Sequence, residues 1–225
     1  MKMMQMREMI KLKFRKTSDG WFDFYISDDG QVKFRLEEGG YMGDIKGLAS
    51  GTHFMFKDFE WIVLDNNVDG GVLAVMTSTW NGEEYSFDDD CCNNYAKSSL
   101  RRKLLNELLP VLGEDNLIPH EVDLVADNGD DRYDTVTDRV FILSCDEYRK
   151  YRKHIPLFPK WIWTCTPWYI TDTGNGNYVR SVYADGTLNS NSAYYGHGVV
   201  PACVFNPDKL IAKRGMIYLE GKNDD

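Results

Sequence analysis

Side chains able to do covalent chemistry are few and scattered in this chain. Two adjacent thiols, Cys91 and Cys92, follow the acidic run Asp88, Asp89 and Asp90, while four histidines stand far apart at His53, His120, His154 and His197. Adjacent thiols can support redox chemistry, but in an acidic loop this pair reads as chance neighbours. No histidine lies near a nucleophile motif of the GxSxG type, which leaves only a triad assembled by folding. Zinc sites use ligand pairs at CxxC or HxxxH spacing, and neither occurs. The runs 88–90 and 127–131 offer carboxylates to calcium without the ligand spacing of an EF-hand loop, so both read as solvated acidic loops. Asn175, Gly176 and Asn177 lack the strand-to-helix setting of a phosphate loop. The chain is therefore expected to have no catalytic residue, no metal and no cofactor.

Recognition is the chemistry that the residues favour. The tract 161–207 crowds Tyr, Trp, Asn, Ser, Thr and Gly together and holds few ionisable groups. Tyrosine gives a large amphipathic contact at low conformational cost, and Ser, Gly and Asn supply adaptable hydrogen bonds. Candidate ligand-binding residues are Tyr169, Asn175, Asn177, Tyr178, Tyr183, Asn189, Asn191, Tyr194, Tyr195 and His197. Trp161, Trp163 and Trp168 read as framework core instead. The competing reading is that the asparagines and glycines make turns while the aromatics fill gaps beneath them.

Composition narrows the partners. Among 225 residues the formal net charge is -9, which opposes binding to nucleic acid, where a phosphate backbone must be neutralised by clustered Lys and Arg. Anionic membranes are disfavoured on the same ground. The basic group Arg149, Lys150, Arg152, Lys153 and His154 sits beside Asp146 and Glu147 and reads as a solvated helix face. The methionine-rich start contains no apolar run long enough for a signal peptide or membrane helix. Five scattered cysteines fit reduced thiols, with Cys165 and Cys203 read as small buried apolar residues. These features imply a soluble chain in the cytoplasm or on a virion.

The elements that must position these residues follow an α+β order. The segments 21–26 and 31–36 alternate in character around a Ser-Asp-Asp-Gly turn and predict a hairpin; residues 1–45 form an appended β-hairpin layer. The runs 53–65 and 71–80 predict a second, more buried hairpin around 66–70. Leu100, Leu104, Leu105, Leu108 and Leu109 recur at helical spacing, with Ser98 or Ser99 as cap and Pro110 and Gly113 near the end. After a strand at 140–143, Ser144 and Glu147 stand in a capping-box relation that starts a helix reaching about residue 154. Strands return at 161–165, 178–183 and 199–205, joined by long polar connections of the kind that carry function. The main domain spans 46–215, and the tail 216–225 is expected to fray.

Four segments together resemble a bacterial and phage-associated domain of unknown function, similar to the C-type-lectin-like fold of the formylglycine-generating-enzyme group. They are FKDFEWIVLD at 56–65, SSLRRKLLNELL at 98–109, DRVFILSCDEYRKY at 138–151, and the series WYIT, VYADG and GVVPA within 168–202. The resemblance implies small twisted sheets flanked by two helices, with an irregular C-terminal face. In some families of that fold, including variable proteins diversified by retroelements, this face binds ligands. It therefore implies a recognition protein, phage or prophage encoded, that binds a protein or glycan. An enzyme of the formylglycine-generating type and an acidic inhibitor or immunity protein are the alternatives. Cys165 and Cys203 do not match the spacing of that enzyme group's cysteine pair, and the Glu-Pro-Asn triplets of calcium-dependent sugar binding are missing. Relatives of this kind often carry arginine where this chain has Thr171 and Val200. Apolar or neutral replacements of a buried charge pair are compatible with a stable fold, but a function that needs those arginines would be lost.

Overall fold

Two tight turns organise the largest sheet. Lys57 and Asp58 both have positive φ (50° and 65°), as do Asp69 and Gly70 (51° and 82°), the backbone geometry that matches the twist of paired strands. The run 53–65 is therefore not one strand but two, His53–Phe56 and Phe59–Val68, and the second continues through the expected loop to pair Val68 with Gly71. Register shifts after Val63 and Asp65 absorb the extra residues. The computed structural model describes residues 43–172 and 176–213, with the strands Leu12–Arg15, Trp21–Ile26, Val32–Leu36 and Tyr218–Gly221. Asn175 and the rest of 173–175 lie outside the described residues.

The chain is mixed α+β, with most elements in sheets. The central strands of the large sheet are Pro201–Phe205, Gly71–Met76 and Phe59–Val68, and every residue of the first two is buried. Phe205 sits at the middle of this core, with Phe54, Phe56 and Trp61 at edge-on ring distances of 5.1, 5.4 and 5.0 Å. Gly71 permits that packing, because a Cβ there would collide with the Phe205 carbonyl and the side chains of Val204 and Ile118. Part of the tail expected to fray instead enters this sheet: Tyr218–Gly221 pairs with both Leu210–Lys213 and His53–Phe56. Backbone pairing on two sides outweighs its terminal position. Trp21–Ile26 pairs with Val32–Leu36 as expected, and Leu12–Arg15 adds a third strand.

The leucine periodicity forms one helical run from 99 to 112 with a π-helical middle, Leu104–Leu108. Leu100, Leu104, Leu108 and Leu112 are all buried, a spacing of four that a local widening keeps on one face. Pro110 has no N–H to offer the carbonyl four residues back, and the wider turn precedes it. Ser98 caps the run by accepting from Arg101 N at 3.1 Å. The second helix, Cys145–Tyr151, starts with both hydrogen bonds of the capping box and is shorter than expected, with a turn over 152–154. No helix among the described residues is long and apolar enough to cross a membrane.

Two charged contacts join these layers. Arg101 grips Asp138 through both carboxylate oxygens at 2.7 Å and also donates to the Ala96 carbonyl, while the Asp138 side chain is only 2% exposed. His120 lies across from Asp138 in the small sheet of His120–Asp123 and Thr135–Asp138. It stacks on Phe141 and places Nδ1 2.6 Å from Asp69 and Nε2 3.2 Å from Glu147. With a carboxylate at each nitrogen, the doubly protonated ring satisfies both. Burial opposes the charge, but the hydrogen bonds to Glu147 and Asp69 outweigh it and raise the pKa above the ordinary histidine value.

Removing Arg101 by an Arg101→Ala substitution leaves a buried carboxylate without its partner, and denaturant titration should show a loss of about 3–5 kcal/mol. A group with a raised folded pKa stabilises fully below its unfolded value, and that contribution fades as pH rises through the folded value. Thermal melts from mildly acidic to alkaline pH should therefore show wild type losing stability relative to His120→Gln as pH rises. Parallel pH profiles of the two proteins would contradict a charged His120.

Candidate functional site

The polar tract is largely built as a second sheet. Its strands run in the order Leu188–Ser192, Tyr178–Val182, Ile162–Pro167, Gly196–Gly198 and Glu84–Ser86. Asn189 and Asn191 thus lie on a strand, opposite Ser181 and Val179, and not on the loop expected from their composition. Asn and Ser have weak strand preferences, which pairing to a regular neighbour overrides. The sheet curls, so that Phe87 N and Asp88 N, just past the Glu84–Ser86 strand at one edge, both donate to the carbonyl of Ala193, just past the Leu188–Ser192 strand at the other, at 2.8 and 3.1 Å.

Inside the curl lies His197. Its ring stacks on Trp163 at 4.0 Å and meets Trp161 edge-on at 5.5 Å. Nδ1–H donates to the Gly196 carbonyl, leaving Nε2 to accept from Asn191 Nδ2 at 3.4 Å. Burial lowers its pKa, so it is a neutral packed histidine. Trp163 is buried as expected, its indole N–H donating to Tyr85 O at 2.9 Å. Trp161, expected in the core, is instead 41% exposed, one face covered by Tyr183 stacked at 4.1 Å, whose hydroxyl accepts from Asn189 Nδ2. Tyr183, Asn189, Asn191 and His197 are therefore occupied with one another and with the tryptophans.

The other nominated residues gather at the opposite end of the Tyr178–Val182 strand. Trp168 stands 5.6 Å from Tyr169 and 5.5 Å from Tyr178, ring to ring, both edge-on. Tyr178 pairs with Ser192, after which the chain turns through Tyr194 and Tyr195. Asn177 anchors that turn, its carbonyl accepting from Ala193 N at 2.8 Å. Trp168 is 42% exposed, Tyr195 59% and Tyr194 66%, so Trp168 is a surface residue and not the core residue expected. Beside them opens a groove of about 500 Å³, lined by Asp90, Cys91 and Cys92 from one loop and Tyr169, Thr171, Gly176 and Asn177 from another segment.

This end is held by polar residues outside the tract 161–207. Asn93 is fully buried; its Nδ2 donates to the carbonyls of Tyr169 and Tyr178 at 2.8 and 3.0 Å, and its Oδ1 accepts from Tyr133 at 2.8 Å. Its backbone N–H adds a bond to Gly176 O at 2.9 Å. Gly176 admits this approach, because a Cβ there would run into Asn93 Nδ2 and Tyr169 O. Asp88 is buried and not solvated as expected: its carboxylate accepts from the backbone N–H groups of Asp90, Cys92 and Ser99. Arg132 Nη2 reaches the carbonyls of Ile170 and Thr171 at 3.1 and 3.0 Å. Val200 is buried in the apolar core. Polar residues at 88, 93 and 94 just before the helical run were the available signal, but nothing in their spacing named their partners.

A second cleft, of about 260 Å³, lies beneath the Cys145–Tyr151 helix and mixes Asp123, Asp127 and Asp146 with Arg149. Asp127 sits between Arg149 and Arg180 at 3.7 and 3.6 Å, so the charges compensate internally. Cys145, Cys165 and Cys203 are buried, and desolvation pushes all three thiols up. Among the described residues, no group of three or more His, Cys, Asp or Glu side chains is arranged to hold a metal ion. In comparisons with known proteins the chain matches no family model, no curated protein and no solved structure.

Asn93→Ala strands two backbone carbonyls and a tyrosine hydroxyl, and should lower unfolding free energy by about 1–3 kcal/mol in denaturant titration. Gly176→Ala should lower it by a similar amount, roughly 1–3 kcal/mol, through overpacking. Stability equal to wild type in both variants would show that the groove does not depend on this contact.

Proposed function

We propose that the chain is a recognition protein with a C-type-lectin-like domain that binds a protein or glycan at the Tyr178 end of its curled sheet. The observation that carries this reading is the set of aromatics left in solvent there: Trp168, Tyr178, Tyr194 and Tyr195 beside an open groove. Exposed aromatic surface grouped around a concavity marks interaction sites more than structural ones. Tyrosines combine apolar faces with hydroxyls, and Asn177 adds an exposed amide next to them. The surface acts as a preformed platform, because the backbone beneath it is pinned by Asn93, Asp88 and Arg132. Pre-organisation of this kind lowers the ordering cost of binding. The cluster of Tyr183, Asn189, Asn191 and His197 serves as support, since its polar groups already have partners within the protein.

The test is a paired screen of the full chain on an immobilised glycan array and on a panel of bacterial cell-surface proteins. A Tyr194→Ala, Tyr195→Ala double variant should lose at least about tenfold in affinity, roughly 1.4 kcal/mol. Exposed substitutions of this kind cost about 0.5 kcal/mol or less in stability, so its melting temperature should stay close to wild type. Unchanged capture by the variant, or a large fall in melting temperature, would remove these tyrosines from the binding surface.

A further inference from the structure

Of the five cysteines, three are buried in the core, and only Cys91 and Cys92 reach the surface, where both line the groove. The backbone holds them in place: Cys91 N donates to Asp88 O at 3.1 Å and Cys92 N to Asp88 Oδ2 at 3.0 Å. Cys91 takes the left-handed conformation (φ 58°), uncommon for a residue with a Cβ. Its Sγ lies 3.2 Å from Ser192 Oγ and 4.0 Å from the Asn177 carbonyl. One thiol therefore ties the acidic loop to the two segments that lead into Tyr178 and into the Tyr194 turn.

We propose that Cys91 and Cys92 form a redox-modifiable dithiol, which a hydroperoxide closes to a disulfide between neighbouring residues, releasing Cys91 from Asn177 and Ser192. One sulfur, as thiolate, attacks the terminal peroxide oxygen; the O–O bond breaks, and the alcohol, or water from hydrogen peroxide, leaves after taking up the proton that the thiol released to solvent, giving a sulfenic acid. The neighbouring thiol then attacks that sulfur, the S–O bond breaks and water departs. The two sulfurs lose two electrons in all and the peroxide gains them. Both thiols stand on consecutive residues, so no distant segment has to be brought up to supply the second sulfur.

The resulting bond is reversible by its geometry. Consecutive Cα atoms are about 3.8 Å apart, closer than the roughly 4.4–6.8 Å of ordinary disulfides, so the ring is strained and easily reduced. Strained, accessible disulfides are the labile ones. Closure requires Cys91 Sγ to leave its contacts with Ser192 and Asn177, which loosens one wall of the groove. Any effect on ligand capture rests on the proposed function, whereas the oxidation chemistry stands without it.

Hydrogen peroxide applied to the intact native protein should remove two titratable thiols out of five, with a mass loss of one hydrogen pair. Peptide mapping should place the link between Cys91 and Cys92, and dithiothreitol should restore both thiols. Cys91→Ser and Cys92→Ser should each stop at a sulfenic acid that dimedone traps. Retention of all five thiols, a link to Cys145, Cys165 or Cys203, or progression of wild type to sulfinic acid would overturn the proposal. Mapping of the wild type decides the matter even if a variant fails to fold.

Discussion

One buried amide holds the recognition end of this protein together. Asn93 uses both side-chain N–H groups, its side-chain oxygen and its backbone N–H to hold four residues, each forty or more positions further along the chain: Tyr133, Tyr169, Gly176 and Tyr178. A buried amide with all these groups engaged is stabilising, while one deprived of them is costly, so each partner segment has little freedom to move independently. The loop that carries Asn93 is itself pinned by Asp88, whose carboxylate binds three backbone N–H groups including the start of the long helical run. From there Arg101 and Asp138 extend the same frame to the small sheet, and His120 extends it to the second helix through Glu147.

This frame explains the contrast between the two ends of the Tyr178–Val182 strand. At one end aromatic rings stack on each other, Trp161 on Tyr183 and His197 on Trp163, and the His197 ring nitrogens are bonded to Gly196 and Asn191. At the other end the backbone is equally well fixed, but the rings of Trp168, Tyr194 and Tyr195 face solvent. Fixing a backbone through buried polar contacts frees the side chains above it from any duty in the core. The thiols of Cys91 and Cys92 share that position, set in the groove wall by a loop whose order comes from Asp88.

Much of the architecture could be read from residue patterns. The leucine spacing and the cap at Ser98 marked the long helical run, and Ser144 with Glu147 marked the second helix, because these signals depend on contacts three or four residues apart. The site was less legible. Tyr194 and Tyr195 stand exposed on the face expected to recognise a ligand, but His197 is a core residue, and Asn189 and Asn191 belong to a strand. Asn93 and Arg132 were invisible as site residues, since their roles lie in carbonyls about forty or more positions away.

The sequence by itself determined the α+β composition, the helix starts and the enrichment of one tract in amphipathic side chains, all properties of local spacing and residue chemistry. Only the tertiary structure decided which of those side chains are buried, that the tract curls into a sheet, and that an acidic loop with two thiols forms one wall of its groove. The physical reason is range. Capping and periodicity act within a turn or two, whereas burial and the satisfaction of buried polar groups are settled by whichever distant segments the chain brings together.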